Sequence, residues 1–293
     1  METCCELAPA INPCVTSVVP FDIHELESET LVKLFMETAS HIQDIRVERV
    51  TNGKRHAGRE EHPVQTLGIA VGRPTIQFSD WLDREQRIDA IAHELLHTLL
   101  VYQYGLRLID RRISYQGTVQ DIFDYYLDLH RHWKYLLEQI VNTIHHQILI
   151  DYLKEEYGIE SDYQLTLLHH NFLIVSRNYY PDRESQYAKG LIGFEHEKRM
   201  GRVDRPLNTC PQSEFFWKAY ESAQKHFRSY DFKNIPAPST YEEDIFSFLE
   251  DLGYQRRHFT FVPKIPSDSG STGDSEELLQ RLPSDGGDLV RAE

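Results

Sequence analysis

The chain has 293 residues, which at roughly 100–200 residues per domain allows one large domain or two modest ones. Apolar residues make up 40% and charged residues 26%, the balance of a chain that can bury a core. A formal charge of −15 and the lack of any long basic run argue against nucleic acid or an anionic membrane as partner.

Residues 1–20 are non-periodic, with Cys4, Cys5 and Cys14 among prolines, and are expected to form a flexible arm. They carry Glu2 and Glu6 where a secretory leader needs basic and then apolar residues. No stretch approaches the roughly 20 apolar residues needed to cross a bilayer. The expected location is therefore the cytoplasm. Four cysteines at 4, 5, 14 and 210 contain no C-x-x-C pair, so no cysteine zinc knuckle is expected.

Residues 22–40 predict a helix with Leu31, Leu34 and Phe35 on its apolar face. Residues 51–62 are polar with two glycines and predict a loop. Two short apolar runs flank Gly72-Arg73-Pro74, which predicts a strand pair within 67–78. A long helix follows over 79–104, with Asp83 and Gln86 resembling a capping box and Gly105 as a stop. From Thr118 to Tyr157 there is neither Gly nor Pro, so one very long helix or two in succession should end at Gly158. Another helix is expected over 161–176. Residues 177–211, with prolines at 181, 206 and 211, read as mixed and loop-rich. Aromatic residues dominate a helix at 213–229, and Thr240 with Glu243 opens the last helix, to about Leu252. From Pro263 the chain is rich in Ser, Gly and Asp and lacks aromatics, which predicts a disordered acidic tail.

The chemistry sits in the helix at 79–104, where His93-Glu94-Leu95-Leu96-His97 forms an H-E-x-x-H motif. Residues i and i+4 stack on one helix face, so both imidazoles can reach one zinc ion. Glu94 then projects beside the metal, placed to take a proton from metal-activated water. The flanks are strongly apolar (Ile88, Ala90, Ile91, Ala92, Leu99, Leu100), so the helix should be buried and its polar side chains need partners.

Residues 88–100, IDAIAHELLHTLL, resemble the active-site helix of zincin metallopeptidases. The strand pair before the helix and the compact size are similar to the ImmA/IrrE-like and other minimal bacterial zincins. The resemblance covers about residues 64–157. It implies a mainly α, α+β fold with a small antiparallel sheet beside the H-E-x-x-H helix. Thr75–Phe78 is then the edge strand to which an extended substrate adds. It also implies one zinc per chain and a third protein ligand. The metzincin continuation is absent, since position 100 is Leu and position 103 is Gln.

Two candidates for the third ligand lie in residues 136–153. His146 is preferred, because imidazole is a common zinc ligand and the stretch is otherwise apolar. Glu138 is the alternative. With Asn142 four residues later, it resembles the gluzincin pattern in which that Asn orients the first His from the second shell of contacts. Asp121, Asp124, Asp128 and His130 remain behind these two. Asp89, one turn before His93, is a candidate acceptor for that ring, and His145 is either a support or a surface group. His130 and His132 sit in a charged stretch and predict a solvated face, whereas His169 and His170 are candidates for a cleft wall.

The expected organisation is a flexible arm at 1–20, a zincin-like metallopeptidase core at 21–160, a mainly helical part packed on it at 161–262, and the tail at 263–293. The expected function is zinc-dependent hydrolysis of a peptide bond in a protein or peptide substrate, regulatory and narrow in choice. Catalysis falls to Glu94, and metal binding to His93, His97 and His146 or Glu138. A non-catalytic interaction module with a structural zinc, or a zinc hydrolase of a non-peptide substrate, are the competing readings.

Overall fold

The computed structural model describes residues 17–42, 44–51, 63–69, 72–111, 119–177, 182–201 and 213–261. The expected tail at 263–293 and most of the N-terminal arm lie outside these residues. The arm is shorter than expected at its inner end: Ser17–Pro20 forms strand β1.

The predicted helix at 22–40 is divided. A 3-10 turn at Ile23–Leu26 precedes helix α1 at Glu29–His41, and Glu27 between them adopts a left-handed φ of 48°. Ser28 then caps α1 by accepting from the Leu31 N–H. Strands β2 (Arg46–Thr51), β3 (Val64–Leu67) and β4 (Thr75–Ser79) join β1 in the order β1-β2-β4-β3. β3 and β4 are antiparallel, but β2 and β4 run parallel, with Arg46 beside Thr75. The sheet is therefore mixed, not antiparallel. β4 is interior to it, so the edge strands are β1 and β3 and not Thr75–Phe78. Alternation carries Ile76 and Phe78 of β4 into the core.

Helix α2 (Arg84–Tyr102) lies against this sheet and against α1. Its start is a complete capping box: the Asp83 carboxylate accepts from the Gln86 N–H at 2.8 Å, and the Gln86 amide accepts from the Asp83 N–H at 3.1 Å. Residues Asp89 to Leu100 are buried except Glu94, which is intermediate. The helix ends as Gly105, at φ 70°, turns the chain and the Leu106 N–H returns to the Leu100 carbonyl.

Helix α3 is a single element, Val119–Tyr157, and stops at Gly158. Helix α4 spans Asp162–Arg177. Helix α5, Arg183–Met200, replaces the loop expected in 177–211. It is buried continuously from Glu184 to His196, so it has no solvent face and no apolar period to read. It packs on α3, α4 and α6 (Glu214–His226). Helix α7, Pro238–Asp251, begins two residues before the expected Thr240, because Pro238 supplies a preset first turn. A short antiparallel ribbon joins β5 (Ile109–Arg111) to β6 (Phe259–Phe261).

The fold is α+β and mainly α, with a large buried apolar cluster that runs from Ile23 to Phe261 and a small one of Phe172, Val175 and Ile192. Among the described residues no helix is long and apolar enough to cross a membrane.

Candidate metal centre

Helix geometry brings His93 and His97 together on one face of α2, with Nε2 atoms 3.1 Å apart. Helix α3 crosses this face and delivers His146. The three ring centroids form a near-regular triangle of 4.7, 4.9 and 5.1 Å. One ligand atom from each ring lies within 4.8 Å of the others. Two nitrogens bound to a tetrahedral zinc at about 2.0–2.1 Å stand roughly 3.3 Å apart, so the His93–His97 spacing suits such an ion.

Electrostatics favour ligation too. Burial, reinforced by the neighbouring imidazoles, holds His93 and His97 well below the ordinary 6.5. Both rings are therefore neutral at physiological pH, the form that binds metal. His93 Nδ1 is buried without a hydrogen-bond partner among the described residues. Three converging imidazoles, of which His93 and His97 are buried and neutral, are the kind of donor set a metal satisfies.

Two of the three rings are held from behind. His97 Nδ1 lies 3.0 Å from His145 Nδ1. With His97 ligating through Nε2, its Nδ1–H donates to His145. Burial pushes the His145 ring down to about 3, against a backbone contact with Leu106 that works the other way. His145 is thus a neutral support inside the core, 1% exposed, and not a surface group. His146 Nδ1 meets the Glu195 carboxylate of α5 at 2.5 Å.

Glu94 stands beside the triangle. Its carboxylate accepts from the Thr66 hydroxyl on edge strand β3, which ties the sheet to the site. Burial raises the Glu94 carboxyl above its ordinary value, opposed by Thr66 and by His146.

The other sequence candidates lie elsewhere. Glu138 is not brought to the cluster: its side chain is 58% exposed and pairs with Lys134 at 3.7 Å. It lies mid-helix two turns before His146, on the solvent-facing side of α3, between the buried Leu137 and Ile140. Asn142 is half-buried one turn before His146. Glu195, from a helix the sequence did not reveal, holds the His146 ring of the cluster. His132 pairs with Asp182 at 2.8 Å instead of facing solvent freely, and His169 lies 3.0 Å from His196 between α4 and α5. The side chains of Asp121, Asp124, Asp128 and His130 fall outside the described residues.

No family model, no curated protein and no solved structure matches this chain. The site must therefore be judged on its own geometry.

Asp89 has a different job from the one the spacing suggested. Its Oδ2 accepts from the N–H groups of Tyr163 (2.9 Å) and Gln164 (3.3 Å), so it caps α4. Burial, with Asp162 nearby, still raises its carboxyl from 3.8 to about 6, against those two hydrogen bonds. The folded state therefore keeps a proton between pH 4 and 6 that the unfolded chain has lost. This contribution is fully present below pH 4 and is lost as pH rises through 6. Asp89→Asn keeps an oxygen for the cap and removes the titration. Wild type should lose about 2 kcal/mol relative to that variant between pH 4 and 7. Urea unfolding of both proteins across this range checks it; parallel stability curves would show that Asp89 is not strained by burial.

Proposed function

We propose that the chain is a zinc-dependent metallopeptidase, acting in the cytoplasm on a narrow set of protein or peptide substrates. The observation that carries this reading is the convergence of His93, His97 and His146 with the Glu94 carboxylate beside them. Zinc held by the three imidazoles would supply Lewis acidity, lowering the pKa of a water to around 7 and polarising a carbonyl.

The chain's own residues account for the rest. Glu94, one position round the helix from His93, takes the proton of the attacking water at its carboxylate and passes it to the leaving amine. Thr66 fixes one Glu94 oxygen through its hydroxyl and leaves the other to act. Buried walls of α2 and β4 keep bulk water away, which strengthens each charge interaction in the site. Strand β3, at the sheet edge and carrying Thr66, offers backbone groups to an extended peptide next to Glu94.

The test is a quenched-fluorescence library of random peptides incubated with the zinc-loaded full chain. Cleavage that stops on chelation and returns on zinc addition is the expected result. A loaded site that cleaves nothing in the library would overturn the peptidase reading and favour another zinc hydrolase.

A further inference from the structure

We propose that Glu195 is a positioning residue for the metal site, holding His146 by Nδ1 so that Nε2 is the atom offered for ligation. The inference rests on the metal-site reading above and extends it to a residue on α5.

His93 and His97 share one helix, so their relative placement follows from helical spacing. His146 comes from another helix, and its ring needs orienting by something else. Glu195 is 1% exposed, a position where a carboxylate is costly unless it is fully engaged. Its Oε1 lies 2.5 Å from His146 Nδ1, and its Oε2 accepts from the Thr143 hydroxyl at 3.4 Å. Thr143 is three residues before His146, so both contacts come from one face of α3.

Arg199, one turn beyond Glu195 on α5, completes the grip. It donates to the His146 carbonyl at 2.5 Å and to Asp151 at 2.8 Å. Residue 146 is therefore held at ring and backbone by an i,i+4 pair on α5. A contact that served only to join α3 to α5 would not need to fall on the one α3 ring that meets both His93 and His97. A carboxylate on the far nitrogen of a ligating ring fixes its tautomer and raises its basicity.

The experiment uses the metal-stripped full chain as wild type, Glu195→Gln, Glu195→Asp and His146→Ala. Zinc affinity is measured by competition with a chromophoric chelator. Cobalt(II) absorption reads the ligand field, and urea midpoints of the apo proteins report the fold. Glu195→Gln is near-isosteric and should weaken zinc binding by about 10–100-fold with a changed cobalt spectrum and an intact apo fold. Glu195→Asp should restore part of the affinity. Wild-type affinity and spectrum in Glu195→Gln, while His146→Ala has lost binding, would overturn the inference. An affinity loss matched by loss of the apo fold would overturn it too, reducing Glu195 to a structural tie between α3 and α5. Absence of zinc binding by wild type would instead overturn the metal-site reading itself, and is told apart because His146→Ala would then equal wild type.

Discussion

Glu94→Gln should keep the bound metal and lose about 10³-fold in the rate of peptide cleavage, within the 10²–10⁴-fold range of a general base. The amide has the size and one acceptor oxygen of the carboxylate, so the Thr66 hydroxyl can still donate to it. The side chain is not one of the three clustered imidazoles proposed to hold the metal, so metal content should not change. What is lost is the capacity to accept a proton from water at the moment of attack. The measurement is the cleavage rate of the random-peptide library beside metal content in the same preparation. A variant that turns over normally would remove Glu94 from the chemistry. A variant that has lost its metal would show that Glu94 supports the site and would leave its role in proton transfer without foundation.

Gly190→Ala should destabilise the fold by about 2 kcal/mol or more, a large share of the stability of a domain. Two effects oppose one another here. Alanine is the better helix former, by about 1 kcal/mol. Against this, a Cβ at 190 would fall 2.4 Å from the Phe216 carbonyl oxygen and 2.9 Å from the Ala219 Cβ. The nearest atom is α6 backbone, which no rotamer change can move aside. Steric overlap wins, and α5 and α6 must separate. Because α5 also carries Glu195 and Arg199, the shift should reach His146 and weaken metal binding in the same variant. Urea unfolding tests the first effect. Stability within 0.5 kcal/mol of wild type, the usual range of a harmless change, would mean the helices are not packed this closely.

How much the sequence reveals depends on whether the signal is local. H-E-x-x-H needs only helical spacing, and His93, His97 and Glu94 can be placed together from five residues. Helix α2 was readable for the same reason: its capping box at Asp83 and Gln86 is a four-residue pattern. Predicted limits of 79–104 shrink to Arg84–Tyr102 because Ser79 still belongs to β4, the capping box fixes the start at Asp83 and Gln103 caps the end. His146 and Glu138 could be ranked only by ligand chemistry, since their distance from α2 is set by how a 39-residue helix crosses it.

Nonlocal features were out of reach. Parallel pairing of β2 with β4 joins Arg46 to Thr75, and nothing in either strand announces it. Helix α5 is buried on every side and contains Gly190 and Gly193, so neither periodicity nor propensity marks it. Its loss from the reading concealed Glu195. The available signal was the cap: Asp182 accepts from the Ser185 N–H, and no proline falls between 182 and 201.

The most direct test of the three-histidine centre is the metal content of the full chain, purified without chelators, by elemental analysis. Wild type should carry about one zinc per chain, and His93→Ala and His146→Ala should each lose it while Glu138→Ala retains it. No metal in wild type even after zinc is added, or full occupancy in His146→Ala, would contradict the account.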